Sequence, residues 1–390
     1  MRIAHVINHF MPELGYTEYY LAKKQHEMGH QICIITSDHH IADSKKRYSE
    51  GSFLIEGGIK VFRLPTLIES SDEVLVPVNR LKEILIAFSP HVVHIHGALS
   101  PMAFTCALHK REIGYKIVAD VITGMVTAHG LSLAVKTAIL KMYVKTIWPT
   151  VYNKVDCFFA LSEASLDWMR DMLNLDTSRV QFIPLGADSD LFCFDPHKRR
   201  AVREKLGVTD NEVLAIYTGK LLPHKRLDAL FYASAPLIRA GNDFRILIVG
   251  EGTDQYVNHL RLITNNLNIN RNVIFHHAVH RTELPSFYSA ADFAVWPGSP
   301  SISIIEAMST SLPVIIARSK WTNHLLEYGN GFDFSEGDVE ALRACIQSLL
   351  ENDDLRQKMG ETSRKIVEEK LNWNNIARQY IEAYRLPSAK

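Results

Sequence analysis

The chain has 390 residues, enough for two domains that each close a core. Apolar residues make up 47% and charged residues 22%, an ordinary globular composition, and 43 basic against 43 acidic side chains give a formal net charge of zero, which speaks against a general nucleic-acid partner. The five cysteines (Cys33, Cys106, Cys157, Cys193, Cys345) have neither zinc-ligand nor disulfide-framework spacing, which points to a reducing compartment, and no apolar run approaches the ~18 residues of a membrane span.

Residues 2–8 read as a first apolar strand rather than a signal peptide. A loop with Pro12 and Gly15 follows, then a helix over 18–28 that stops at Gly29, then a second strand over 31–36. This is a βαβ unit whose first loop lies where open α/β sheets bind ligands. Gly15 either lets a ligand approach the backbone or simply turns the chain. Residues 59–64 form a strand, 78–88 a helix, and 91–96 a buried strand ending in VHIHG. His94 and His96 share a strand face, and His96, nearer the end, is the better ligand candidate. With no acid or cysteine nearby in sequence, the pair reads as hydrogen-bonded histidines rather than a metal site.

Residues 116–122 form a strand, and the next loop carries Gly124, His129 and Gly130. In residues 131–148, Lys136, Lys141 and Lys145 recur among apolar residues. Such a helix either packs on the core with solvated lysines or lies on an anionic membrane surface. Strands over 155–161 and 180–184 flank a helix over 162–172, capped by Ser162 or Ser165. The boundary between domains is expected at 193–198.

The pattern then restarts. A strand over 213–218 leads into GKLLPHKR, where Lys220, Lys225 and Arg226 stand beside Gly219 before a helix over 227–240. Cations between a strand end and a helix suit a phosphate, which lysine meets as a point charge. A strand over 244–249 runs into GEGTD, where Gly250 and Gly252 lack the third glycine of a dinucleotide fingerprint and read as a tight turn allowing close backbone approach. Strands over 273–276 and 293–296 flank a helix over 283–289, and helices over 339–350, 354–368 and 374–384 finish the chain. The stretch WPGSPSISIIEAMSTSLPVIIA, residues 296–317, reads as a loop, a helix opening at Ser303 and a buried strand, a natural diphosphate site at a helix start. Glu306 has two readings: the end of an S-x-x-E capping box with Ser303, or an acceptor for the hydroxyls of a ribose.

The fold expected is therefore α/β, with two tandem doubly wound Rossmann-like domains facing across a cleft. At this point the motifs carry a likeness. PELGYTE (12–18), HIHG (94–97), ALSEAS (160–165), IPLGADSDLF (183–192), GKLLPHK (219–225), IIEAMSTSLPVI (304–315) and the terminal helix over 373–384 occur in the order seen in one family. The chain resembles the retaining, GT-B-fold glycosyltransferases of family 4, also called group 1. The resemblance implies an acceptor-side domain over 1–195, a nucleotide-sugar-binding domain over 196–370, and a helix over 371–390 packing back on the first. It implies that Lys220 and Lys225 hold the donor diphosphate, that Glu306 binds the donor ribose, and that Gly15 lies under the phosphates. Gly219, Gly250, Gly252 and Ser303 join the donor side, and His96, Tyr16 and Asp120 the acceptor side, with His129 a catalytic candidate beside the two lysines. The family's first E-x7-E glutamate falls at Gly298, its second first-loop glycine at Tyr16, its asparagine at Leu185, its histidine at Ile122, and the glycine before LPV at Ser311.

The implied activity is metal-independent transfer of a sugar from a UDP- or GDP-linked donor to an acceptor hydroxyl, with retention. Surface-glycan or lipid-linked oligosaccharide assembly is the setting, in the cytoplasm or at the inner membrane face through residues 131–148. No cofactor or metal is called for. The losses at Gly298 and Ile122 keep a second reading open, a sugar-nucleotide-binding scaffold subunit of a glycan-assembly complex. A same-fold epimerase is a third.

Overall fold

The computed structural model describes residues 1–12, 15–40, 47–70, 73–121 and 133–387. It divides into two compact units, Met1–Pro184 with Asn374–Lys390, and Leu185–Trp373.

In the first unit the strands are β1 (Arg2–Ile7), β2 (Gln31–Ser37), β3 (Gly51–Ile55), β4 (Ile59–Leu64), β5 (Ile68–Ser70), β6 (Glu73–Leu75), β7 (Val92–His96), β8 (Lys116–Asp120), β9 (Cys157–Ala160) and β10 (Val180–Phe182). The helices are α1 (Thr17–Glu27), α2 (Val78–Phe88), α3 (Pro101–Ile113), α4 (Leu133–Thr146), α5 (Trp148–Tyr152) and α6 (Glu163–Leu173). The main sheet has the order β10-β9-β8-β7-β1-β2-β4-β3, parallel except for β3. β1, β2 and β7 are buried along nearly their whole length, as parallel strands covered on both faces must be. β3 was not anticipated, because residues Gly51–Leu54 are all exposed and leave no alternating pattern. α3 was also missed, although Ser100 caps it by accepting from Ala103 N–H and Pro101 opens it. Of the two candidate caps for α6, both take part: Ser162 and Ser165 bond reciprocally in a capping box.

The second unit holds β11 (Val213–Thr218), β12 (Phe244–Val249), β13 (Val273–His276), β14 (Phe293–Trp296), β15 (Val314–Ala317) and β16 (Gly331–Phe334), an all-parallel sheet of order β13-β12-β11-β14-β15-β16. Around it lie α7 (Pro196–Leu206), α8 (Leu227–Arg239), α9 (Asp254–Asn266), α10 (Leu284–Ala290), α11 (Ser303–Ser309), α12 (Val339–Leu350) and α13 (Asp353–Ile366). The first unit closes at Pro184, earlier than the boundary read from sequence. The reason is packing: Ala187 and Phe192 are buried in the second unit's core, and Ala187 bridges to Asn372. The last helix, α14 (Trp373–Arg385), brings Tyr380 to 4.7 Å from Phe159 and so completes the first unit.

Candidate functional site

In the second unit the strand order reverses between β11 and β14, and open α/β sheets hold ligands outside the carboxyl ends at such a point. β11 ends at Thr218, whose carbonyl accepts from Trp296 Nε1 (3.1 Å) and Ser303 Oγ (3.2 Å). Its hydroxyl lies 2.7 Å from the Tyr288 hydroxyl. Gly219 then turns with φ 142°, a conformation glycine takes without strain. Its neighbour Lys220 is exposed, and the Tyr217 hydroxyl donates to the Lys220 carbonyl at 3.0 Å. The half-buried Lys225 donates from Nζ to the carbonyls of Ser299 (3.1 Å) and Pro300 (2.8 Å). Burial first, and then repulsion from Lys220, lower its ammonium below the ordinary value. The two lysines thus form one basic spot beside the β11–β14 ends.

Three glycines set how closely these loops pack. A Cβ on Gly250 would lie 1.9 Å from the Gly219 carbonyl oxygen, and one on Gly252 would lie 2.4 Å from the Leu221 oxygen. What approaches the GEG turn is therefore the backbone of the lysine loop, and Leu221 N–H donates to the Glu251 carbonyl at 2.7 Å. A Cβ on Gly298 would sit 2.5 Å from the His224 oxygen. Position 298 is closed to any side chain, glutamate included, while this loop keeps its place.

The capping-box reading of Glu306 does not hold. Ile302 is the N-cap of α11, no side chain caps it, and Ser303 Oγ is turned toward Thr218 and Ser301 (2.8 Å). Glu306 is buried and pairs with Arg281, Nη2 to Oε1 at 2.7 Å. Burial raises its pKa and Arg281 works against that rise. The Arg281 guanidinium lies over the Phe192 ring, 5.3 Å from its centroid. Sequence reasoning missed Arg281, Tyr288 and Phe192, and the one available signal was Arg281's place in the loop after β13. With only seven residues in α11, the local positive charge rests mainly on the two lysines.

The first unit also reverses strand order, between β1 and β7. There His96 Nδ1 bonds Asp120 Oδ2 (2.7 Å), His96 Nε2 meets His5 Nδ1 (2.9 Å), and His5 Nε2 meets Gln25 Oε1 (2.8 Å). Gln25 Nε2 donates to the Tyr384 hydroxyl (3.1 Å), which lies 2.7 Å from His94 Nδ1. With the amide oxygen of Gln25 facing His5, His5 donates from Nε2 and accepts at Nδ1. His96 must then donate from both nitrogens, as an imidazolium paired with a carboxylate. The electrostatics agree. Burial disfavours the charge on His96, but Asp120 and Glu18 outweigh it and hold the ring above its ordinary pKa. Asp120, despite burial, is held well below the usual carboxylate range by His96 and His94. His5 and His94 are lowered by burial and by their histidine neighbours, His94 to about 4.

Among the described residues, His5, His94 and His96 offer ring nitrogens within 4.8 Å of one another. The sequence showed a pair without an acid; the fold adds His5 and Asp120. The ring nitrogens form a hydrogen-bonded chain, with His94 Nε2 3.6 Å from the Asp120 oxygen that already accepts from His96. His96 and Asp120, expected on the acceptor side, are thus interior groups, each 3% exposed. Tyr16 is exposed at the start of α1, and Gly15 turns with φ 59°. His129 lies outside the described residues.

Two sequence families match in tandem: Glycosyltransferase Family 4 over residues 16–191, and Glycosyl transferases group 1 over residues 198–366. The chain belongs to the group 1, family 4 glycosyltransferases. This glycosyltransferase is 24% identical over 327 residues to a GDP-mannose-dependent alpha-(1-6)-phosphatidylinositol monomannoside mannosyltransferase of Mycolicibacterium smegmatis, covering 81% of each chain. It is 26% identical over 246 residues to a D-inositol 3-phosphate glycosyltransferase of Gordonia bronchialis, covering 60% of this chain and 53% of that one. Of that relative it spans about half the length. In structure it is similar to Anabaena HepE, solved in complex with UDP (TM-score 0.77, 17% identity, 98% and 99% of the chains covered). It is also similar to sucrose-phosphate synthase from Thermosynechococcus elongatus (TM-score 0.74, 17% identity, 98% of each chain). The fold of the glycosyltransferase is the two-domain α/β GT-B fold.

Proposed function

We propose that this glycosyltransferase moves a sugar from a UDP- or GDP-linked donor to an acceptor hydroxyl, with retention at the anomeric carbon, in surface-glycan or lipid-linked oligosaccharide assembly. The observation that carries the reading is the convergence of Lys220, Lys225 and the Ser303–Glu306 turn at the β11–β14 ends. As the sugar–phosphate bond breaks, negative charge grows on the departing diphosphate, and the two ammonium groups neutralise it there. Because the protein supplies these cations, the reaction is proposed to run without a divalent metal. The leaving phosphate takes the acceptor proton in a front-side path, which needs no carboxylate at Gly298. Glu306 accepts from the ribose hydroxyls. In the first unit, Tyr16 at the exposed start of α1 is the proposed acceptor contact, and the buried His96 and Asp120 are proposed as supporting groups of the acceptor side.

The named relative acting on phosphatidylinositol mannoside supports a lipid-linked acceptor. So does α4, where Lys141, Met142 and Lys145 are exposed, a composition suited to an anionic membrane surface at the cytoplasmic face. No helix of the described residues is long and apolar enough to cross a membrane.

The test incubates the protein with UDP- and GDP-sugars and a lipid extract, with and without a chelator, and reads product anomer by NMR. The reading expects a product with the donor's anomeric configuration in both conditions. An inverted product, or activity abolished by the chelator, contradicts the mechanism. Donor binding with neither transfer nor hydrolysis supports instead the scaffold reading that the closed position at Gly298 keeps in play.

A further inference from the structure

Glu306 is a carboxylate in an interior setting, 3% exposed, and an isolated charge there is costly unless paired. Among the described residues, the charged and titratable groups facing it come from two other elements. Arg281, from the loop after β13, contacts Oε1 at 2.7 Å, and Tyr288 of α10 faces it while its hydroxyl lies 2.7 Å from the Thr218 hydroxyl. Arg281 is itself held from a third direction by the Phe192 ring. That ring is fixed in turn, because the Phe192 carbonyl accepts from Ser309 Oγ (2.7 Å) and Arg364 Nη1 (2.9 Å). The guanidinium is therefore held against the Glu306 carboxylate, nearest to Oε1, by residues far apart in the chain. An ionised carboxylate accepts at both oxygens, and at more than one position on each.

We propose that Arg281 is the positioning residue of the nucleotide site. It keeps Glu306 a carboxylate, occupies Oε1, and so presents Oε2 as the acceptor for the vicinal hydroxyls of a ribose. The inference rests on the nucleotide-sugar reading above. It adds a specificity: the site selects a ribonucleotide over its 2′-deoxy counterpart through a pair, Arg281 with Glu306, rather than through the acid alone. It also gives a sign. Burial raises the Glu306 pKa and Arg281 opposes the rise. Without Arg281 the acid protonates at higher pH, and a protonated carboxyl is a weaker acceptor for two hydroxyls.

The experiment measures calorimetric affinity for UDP, GDP and their 2′-deoxy forms across about pH 5.5 to 8.5, on the full chain, together with donor KM and kcat. In Arg281→Gln, ribonucleotide affinity is expected to fall by about tenfold near pH 7 and to recover as pH rises. The preference over the deoxy form should shrink, and KM should rise more than kcat falls. Arg281→Lys, which keeps the charge without the planar fork, should restore most of the affinity near neutral pH. Unchanged affinity and pH profile in Arg281→Gln, with Glu306→Gln impaired, overturn the role of Arg281 and leave the donor reading standing. If Glu306→Gln also binds ribo and deoxy forms as the wild type does, the donor reading falls as well. Should Arg281→Gln fail to fold, the Arg281→Gln/Glu306→Gln double variant, which removes the buried charge pair together, decides: full ribose preference in it overturns the proposal.

Discussion

Replacing Tyr384 by phenylalanine tests the buried histidine chain with the loss of a single oxygen. That hydroxyl joins Gln25 Nε2 at 3.1 Å to His94 Nδ1 at 2.7 Å. Gln25 and His94 are 0% exposed and Tyr384 is 2% exposed, so water cannot replace it readily. The phenyl ring preserves the packing against Phe159 (6.3 Å) and Tyr380 (6.2 Å). What remains is one buried N–H and one buried ring nitrogen without their partner, each costing about 1–3 kcal/mol. With both groups fully buried, the expected loss is about 2–6 kcal/mol. With two units a single unfolding free energy is ill-defined, so the readout is hydrogen exchange of amides in α14 and α1, supported by urea unfolding. Tyr328→Phe is the control, because Tyr328 is 45% exposed and should change stability by less than about 0.5 kcal/mol. A Tyr384→Phe protein as protected in α14 as the wild type refutes the assigned chain of bonds.

Further predictions concern backbone fit and pH. Restoring the family acid with Gly298→Glu should destabilise the second unit by about 1–3 kcal/mol and raise no activity, since a Cβ there meets the His224 oxygen at 2.5 Å; enhanced turnover contradicts this. Ser311 holds φ 62°, the left-handed region, so Ser311→Gly should stabilise by about 0.5–1 kcal/mol in urea unfolding. His94 has its folded pKa lowered to about 4, so the unfolded chain binds the extra proton as pH falls. Its contribution is full above the unfolded value of about 6.5 and is lost toward about 4. His96, shifted upward, has the opposite sense, contributing below its unfolded value and losing that as pH rises through the folded one. A His94→Gln variant should therefore show a shallower stability loss on acidification of the first unit than the wild type; an equal slope contradicts the assignment.

Much of the fold was legible because parallel strands buried on both faces read as apolar runs. β11, β12 and β14 fall where those runs lie, and Gly219 marks the turn that follows β11. Elements without such a signature were not. β3 is exposed over most of its length, and α7 is so polar that its Asp195 cap and Pro196 start read as a linker. At the site, the lysines were visible as local sequence beside a strand end, but the partners of Glu306 were not. Arg281 is 25 residues upstream and meets Glu306 only because β13 and α11 deliver them to the same end of the sheet. The histidine chain was hidden for a similar reason. His5 registers opposite His94 only once β1 is known to pair with β7, and Asp120 arrives through β8 opposite His96. The capping-box motif at Ser303 misled because a four-residue pattern takes no account of Thr218, whose carbonyl claims the serine.

The most direct test of the donor site compares affinity for nucleoside diphosphates with that for the matching monophosphates, in the wild type and in Lys220→Ala/Lys225→Ala. The wild type is expected to prefer UDP or GDP over its monophosphate by about tenfold or more, and the double variant to lose that preference while keeping its monophosphate affinity within about twofold. An undiminished preference for the diphosphate in the double variant would show that these two lysines do not hold the donor's phosphates.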